Sequence, residues 1–441
     1  MNILLLILKI DYIKKMQSII LQKNISDLFE KNEFKNINDI NKVFYSNKCN
    51  FFNIIDKRYP KEGEEFIKVF DYLKNSLVLK IDELFKEKYI PILKTGENSE
   101  NIFTRKQVAL LFLLSFLDVL FVEERKNMNY FNIGYLLIKK HEVAVQFGRS
   151  FLNYLTVIGK WISENNPILE EQIIFKRNSI NSMEYLYNQD TTKKTKLCQL
   201  MMDTKESLFN GKASYCVDFA NKYIGGGVLN CGCVQEEILF CIDPEAIVSL
   251  YFMEVMSDND AIGIYNTIQY SNYKGYGYSF TYDGCAIDFK DNKNNKKHRI
   301  IAIDAISLRY SYNFFFSSNK TSSQDINRDI HKAYVGFSLA NLDNSIEKTI
   351  STGNWGCGAF GGNHELKFIQ QWIAASFAGI DRLDYYTFGD KEAVLVAKFY
   401  DKIKEKFKTA EKLYNALIMV SNYGENYINN LLKLGWIIIS I

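Results

Sequence analysis

The strongest constraint on the fold of this chain is a change of texture near residue 160. Before it, glycine is scarce and no strand alternation stands out, so the segment reads mainly as helices. The clearest helix is expected over Thr104 to Phe121 (TRKQVALLFLLSFLDVLF), where Thr104 can cap and a broad apolar face follows. From about Ile173, strand-length apolar runs appear at 215–220, 261–265, 300–305 and 382–388. Helix-length segments separate them, at 244–256, 325–334, 363–377 and 391 to about 417. Strands alternating with helices predict an α/β layer structure around an internal sheet. The expected division is a helical part, 1–160, and an α/β part, 161–441, each long enough for a core of its own, with Phe147 to Ile162 able to belong to either.

Composition excludes several classes. Hydrophobic residues make up 47% of the 441, which rules out a wholly disordered chain. The net charge of +3, from 54 basic and 51 acidic residues, advertises no polyanion-binding face. The one basic run, Asn292 to Arg299 (NKNNKKHR), reads as a solvated loop rather than a nucleic-acid contact. The 8 cysteines form no CxxC pair and the 4 histidines are scattered, so no zinc site is expected. His364-Glu365 lacks the second histidine of a zinc-protease helix. Free thiols fit a reduced, intracellular setting. The apolar run Ile3 to Leu8 is too short to span a bilayer and has no small-residue cleavage site, so it reads as a helix start, not a signal or membrane anchor.

Three stretches carry the candidate chemistry. In VDFANKYIGGGVLNCGCVQEEILF (217–240), a strand is expected to end at Asn221 and Gly225, Gly226 and Gly227 follow in a row. Consecutive glycines suit a close approach or a positive φ, and their amides can form a nest for a diphosphate; a plain tight turn is the simpler alternative. Gln235-Glu236-Glu237 then opens an apolar segment. On a surface helix such a pair would merely complement the helix dipole. Beside a phosphate nest it is electrostatically awkward unless it does chemistry. Adjacent residues point apart, so the two glutamates are not expected to face each other across a sugar, and a single acid/base is the sensible mechanism.

The second stretch, TGNWGCGAFGG (352–362), sets five glycines among Asn354, Trp355 and Phe360 just before an expected helix start, a second anion cradle. A flexible surface loop is the alternative, weakened by the large apolar residues. Third, YKGYGY (273–278) and YYTFGD (385–390) can offer ring faces for a base, or simply pack in the core.

Together these residues resemble the poly(ADP-ribose) glycohydrolase family, whose hallmark is a triple glycine followed at short distance by Gln-Glu-Glu. VDFAN (217–221), YKGYG (273–277), AIDA (302–305), GNWGCGAFGG (353–362) and TFGD (387–390) are similar to the family in the same order. Thr104-Arg105-Lys106-Gln107 is similar to its helical accessory domain. The resemblance implies a macrodomain-like mixed sheet flanked by helices, with an N-terminal helical domain. It implies hydrolysis of ribose–ribose bonds, with Glu237 as general acid and then base and Glu236 holding ribose hydroxyls. Asp218 and Asn221 would support the ribose end, and Gly225 to Gly227 the diphosphate. Gln235, Tyr276, Asn354 and Phe388 would line the adenine and diphosphate side, with Gly358 and Phe360 in the second loop. Near the family's acidic adenine contact this chain has Ser207 and Leu208, with Glu206 offset.

The implied partners are ADP-ribose, poly(ADP-ribose) and poly(ADP-ribosyl)ated proteins, in nucleus or cytoplasm, with no cofactor, metal, nucleic acid or membrane. Bond cleavage builds positive charge on the anomeric carbon and negative charge on the departing oxygen, and a shielded glutamate can keep its proton to donate there. Amides binding phosphates would remove the need for a basic patch. Three rival readings compete with it: a macrodomain that binds ADP-ribose without cutting it, a hydrolase of protein-linked ADP-ribose, and a dinucleotide oxidoreductase. The paired carboxylates speak against the first, and the lack of an early G-x-G-x-x-G against the last.

Overall fold

The computed structural model describes residues 18–20, 58–86, 89–117, 127–187, 194–308, 321–342, 346–424 and 426–438. The apolar run at Ile3 to Leu8, Cys49 and the end of the expected helix beyond Leu117 lie outside them.

The elements that build the site follow in chain order. They are α1 (Pro60–Ser76), β1 (Ser99–Thr104), α2 (Arg105–Phe116), α3 (Ile133–Ile138), α4 (Glu142–Ser163), β2 (Gln172–Ser179), β3 (Gln199–Asp203) and β4 (Tyr215–Ala220). Next come α5 (Gln235–Ile242), β5 (Asp260–Ile268), the hairpin β6 (Ser271–Lys274) and β7 (Thr281–Cys285), and β8 (Lys297–Asp304). The chain continues through α6 (Ser323–Phe337), β9 (Thr349–Gly353), α7 (His364–Phe377) and β10 (Arg382–Tyr386). It then reaches α8 (Lys391–Ala397), α9 (Tyr400–Phe407), α10 (Ala410–Val420) and α11 (Tyr427–Ile438).

Eight strands form one mixed sheet in the order β1-β2-β5-β8-β4-β9-β10-β3. The β1, β2, β5 and β8 neighbours pair antiparallel, and the pairs from β8 through β3 are parallel. Strand alternation divides the core between the two faces. On β8, Ile300 and Ala302 face the layer that holds α1, α2, α4 and α5, while Ile301 and Ile303 face the layer of α6, α7 and α10. The sheet is therefore covered on both sides, as its parallel half requires.

Thr104 caps α2 as expected: its hydroxyl accepts from Gln107 N at 3.2 Å, and Gln107 Oε1 accepts from Thr104 N at 2.7 Å. Arg105 directly follows and is fully buried against Glu245, whose carboxylate also accepts from Tyr270 at 2.7 Å. One feature of the first part differs from the sequence expectation: Ser99–Thr104 is an edge strand of the main sheet. Residue 160 lies in the 22-residue helix α4. The segment expected as one helix over 391–417 is three, with Lys408 at φ +58 turning the chain before Thr409 caps α10. The expected helix at 244–256 is a run of 3₁₀ turns over Pro244–Tyr251. Among the described residues, no helix is long and apolar enough to cross a membrane.

Candidate active site

The site gathers at the C-terminal ends of the parallel strands β4, β9 and β10, where open α/β sheets leave a crevice. A cavity of about 560 Å³ opens there, a size suited to a nucleotide-scale ligand.

Between β4 and α5 the chain must turn back on itself within fourteen residues, 221–234, and it does so around two carboxylates. Glu236 Oε2 accepts from Asn221 N at 2.9 Å and Glu236 Oε1 from Gly225 N at 2.7 Å. Glu237 Oε1 accepts from Gly227 N at 2.8 Å and Glu237 Oε2 from Val234 N at 2.9 Å. The last contact is the return half of a capping box, a glutamate at the third helical position reaching the N-cap amide. Gln235 staples the helix start to the strand, accepting from Phe219 N at 2.7 Å and donating to Val217 O at 3.0 Å. All three side chains are buried, yet all three line the cavity.

This wiring redirects the glycine amides expected to cradle a diphosphate. Gly225 N and Gly227 N donate to the glutamates, and Gly226 N donates to Tyr223 O at 3.0 Å. The need for glycine at 226 also has a source inside the protein. Its φ is +49°, and a Cβ there would lie 2.4 Å from Glu236 Oε2 and 2.7 Å from Glu237 Oε1. Gly226 and Gly227 line the cavity, whereas Gly225 backs onto Leu250 beneath it.

Asp218 also differs from its expected place at the ribose end. It is fully buried on β4, off the cavity wall, and neither of its carboxyl oxygens has a partner among the described residues. Burial, with Glu237 adding to it, raises Asp218 well above the ordinary carboxylate range. Glu236 is likewise raised, by burial first and then by Asp218 and Glu237, against the pull of its two amide donors.

The second glycine loop forms the opposite wall. Trp355 anchors it, fully buried and donating through Nε1 to Ile303 O at 2.9 Å. Asn354 turns its carboxamide toward β10 and its end: Nδ2 donates to Thr387 O at 3.0 Å and Oδ1 accepts from Tyr385 at 3.4 Å. It and Gln235 therefore line the cavity with their polar atoms already committed to backbone and side-chain partners. Among the described residues the N–H groups of Gly358, Ala359 and Phe360 have no partner, and all three residues line the cavity. Burial pushes the Cys357 thiol up to about 12, so this wall presents no thiolate nucleophile.

At the mouth, Tyr276 and Phe388 bring their rings to 5.6 Å between centroids. Phe388 sits at φ +53°, a conformation that costs a bulky residue energy and holds its half-exposed ring over the opening. The cavity thus brings together Glu236, Glu237, Asn221, Gly226, Gly227, Gln235, Tyr276, Asn354, Gly358, Phe360 and Phe388, and leaves out Asp218 and Gly225. Ser207 and Leu208 line it, while Glu206 is exposed and accepts from Asn210 at 3.1 Å. Tyr273 and Tyr386 also line it, as do Ala305 and His364, which the sequence does not mark as site residues. For Tyr273 and Tyr386 the signal lay in the aromatic stretches themselves. None of the described lining residues is Lys or Arg.

Two family models match the chain. Residues 58–177 match the helical domain of poly(ADP-ribose) glycohydrolase, and residues 187–394 match its macro domain fold. A probable poly(ADP-ribose) glycohydrolase 2 of Arabidopsis thaliana is 32% identical over 263 residues, covering 52% of this chain and 50% of the relative. Poly(ADP-ribose) glycohydrolase 1 of Caenorhabditis elegans is 37% identical over 218 residues, covering 47% of this chain and 27% of the relative. The chain thus spans half or less of the length of these two relatives. A solved poly(ADP-ribose) glycohydrolase from Thermomonospora curvata, bound to the inhibitor ADP-HPD, overlays at a TM-score of 0.33 with 14% identity, over 49% of this chain and 81% of that one.

Proposed function

Because the chain belongs to the poly(ADP-ribose) glycohydrolase family, we propose that it hydrolyses the ribose–ribose O-glycosidic bonds of poly(ADP-ribose) and releases ADP-ribose. The observation that carries this reading is the pair of adjacent buried glutamates, each held by two backbone N–H groups on the wall of a nucleotide-sized cavity. A module that only binds ADP-ribose has no need for two carboxylates brought into a site meant for an anionic ligand.

In this reading Glu237 protonates the departing ribose oxygen and then takes a proton from the attacking water. Each carboxylate oxygen accepts one amide and keeps a further lone pair, so the clamp fixes direction without blocking the group. Glu236 and Asn221 hold ribose hydroxyls. The two glutamates follow each other at a helix start, so one carboxylate does the proton work, unlike the opposed pairs of ordinary glycosidases. The diphosphate rests on the unpartnered N–H groups of Gly358, Ala359 and Phe360, just before the N-terminus of α7. Adenine takes the ring faces of Tyr276 and Phe388, with Ser207 and Leu208 beside it.

Residues 1–160 act as the helical accessory part and 161–441 as the catalytic part. The partners are ADP-ribose, its polymer and poly(ADP-ribosyl)ated proteins, met inside the cell in nucleus or cytoplasm, with no nucleic acid or membrane involved. The test is incubation with poly(ADP-ribose) of defined length and identification of the product by mass spectrometry. Free ADP-ribose with shortening of the polymer supports the reading. Binding without release identifies a non-catalytic ADP-ribose-binding macrodomain, and release of only the protein-linked unit identifies a different hydrolase.

A further inference from the structure

Two of the four amides that hold Glu236 and Glu237 belong to peptide units of the glycine loop, 224–225 and 226–227. The N–H of the first goes to Glu236 Oε1 and the N–H of the second to Glu237 Oε1. A planar trans peptide points its C=O opposite to its N–H, so whatever fixes the carbonyl fixes the amide. Both carbonyls end on one group. Asn129 Nδ2 donates to Ile224 O at 3.0 Å and to Gly226 O at 2.9 Å. Its two hydrogens thus engage the two peptide units whose amides hold the two glutamates.

These units would not hold that orientation by themselves. Gly225 and Gly226 lie at φ +83° and +49°, in the region where glycine moves with little steric penalty, so rotation of the intervening peptides is cheap unless something pins them. Asn129 is itself fastened. Its Oδ1 accepts from Tyr130 N at 2.9 Å, and Asn127 O two residues earlier accepts from Val255 N at 2.7 Å. A carbonyl already accepting a hydrogen bond also makes the N–H of its own peptide unit a better donor.

We infer that Asn129, contributed by the helical part of the chain between α2 and α3, is a positioning residue that locks both peptide planes and thereby aims Glu236 and Glu237. The inference rests on the reading of Glu237 as the proton-transferring group. It gives the helical part a role in the chemistry beyond covering apolar surface. Lys139 offers a built-in contrast. It also grips the loop, donating to Leu229 O at 3.0 Å and to Asn230 Oδ1 at 2.9 Å. The peptide unit it holds, 229–230, sends its N–H to Gly227 O and not to a glutamate.

The experiment compares Asn129→Ala, Asn129→Asp and Lys139→Ala with wild type in the full chain. Asn129→Asp keeps the size and the acceptor for Tyr130 N but cannot donate to either carbonyl, so it serves if the alanine variant fails to fold. We expect kcat for poly(ADP-ribose) to fall at least about tenfold in either Asn129 variant while the Kd for ADP-ribose stays within about threefold, the signature of a misaimed reacting group. Lys139→Ala should keep kcat within about threefold. Amide hydrogen exchange at Gly225 and Gly227 should accelerate at least about tenfold in the Asn129 variants and stay near wild type in Lys139→Ala. Near-normal kcat in a folded Asn129 variant, or equal losses in kcat and affinity in both the Asn129 and Lys139 variants, would overturn the inference. If wild type releases no ADP-ribose, the proposed activity fails, and the exchange measurement still decides whether Asn129 holds the two planes.

Discussion

Replacing Gly226 by alanine should separate stability, binding and turnover in a way that only the observed geometry explains. The new Cβ would lie 2.4 Å from Glu236 Oε2 and 2.7 Å from Glu237 Oε1, while ordinary contacts begin at 3.4 Å. The carboxylates must therefore retreat by roughly 1 Å and 0.7 Å, and a displacement of about 1 Å at a reacting group costs about 100-fold in rate. The φ of +49° adds about 1–2 kcal/mol of backbone strain for any residue with a Cβ. Weakening an amide bond to a carboxylate adds about 1.5–3 kcal/mol more. The assay is initial-rate release of ADP-ribose, with urea unfolding and calorimetry of ADP-ribose binding alongside. We expect a kcat loss of about 100-fold, a stability loss of about 2.5–5 kcal/mol, and a smaller change in ADP-ribose affinity. A folded Gly226→Ala protein with kcat within about threefold of wild type would refute the reasoning. So would a loss confined to affinity, which would return Gly226 to the diphosphate.

Three further outcomes follow from the same geometry. Burial raises the Asp218 carboxyl in the folded chain, so between about pH 4 and its folded pKa the folded state binds a proton that the unfolded state has released, and stability falls as pH rises. Asp218→Asn should flatten this fall, measured as the Tm difference between pH 5 and pH 8; an unchanged difference would mean that Asp218 does not titrate this way. Because none of the described cavity-lining residues is Lys or Arg, the log–log salt dependence of ADP-ribose affinity should have a slope below about one by calorimetry, and a steep slope would assign the phosphates to side-chain cations. Removing residues 1–160 strips β1 from the sheet and α2 from the core, so the remainder should aggregate on size-exclusion chromatography; a soluble, fully active fragment from about residue 165 would count against this.

What the sequence made legible was what local pattern encodes. The strands around 215–220, 261–265, 300–305 and 382–386 are apolar runs buried on both faces, so they stand out without any partner. The two strands at the antiparallel end of the sheet, β1 and β2, do not. On β2 the inward positions are Ile173, Phe175, Arg177 and Ser179, and the alternation is disguised because Arg177 is buried against Asp260. On β1 the inward Asn101 plays the same part, donating to Pro91 O at 2.9 Å. The glutamate pair and the glycines were visible as a motif, but the direction of the glycine amides was not. Whether an N–H faces a ligand or a carboxylate ten residues on depends on the path of the loop, and that path is set by Asn129 and Lys139 from a distant part of the chain. The aromatic mouth was legible as composition, while the pairing of Tyr276 with Phe388 needed the fold to bring residues 112 apart in sequence into contact.

The central claim is that Glu237 moves the proton, and Glu237→Gln tests it most directly. The substitution keeps size and lets the side chain accept one amide bond, but removes the ionisable group. In parallel reactions on defined poly(ADP-ribose), wild type should release ADP-ribose while Glu237→Gln loses about two to four orders of magnitude in rate and still binds ADP-ribose by calorimetry. Turnover within about threefold of wild type in a correctly folded Glu237→Gln protein would contradict the account.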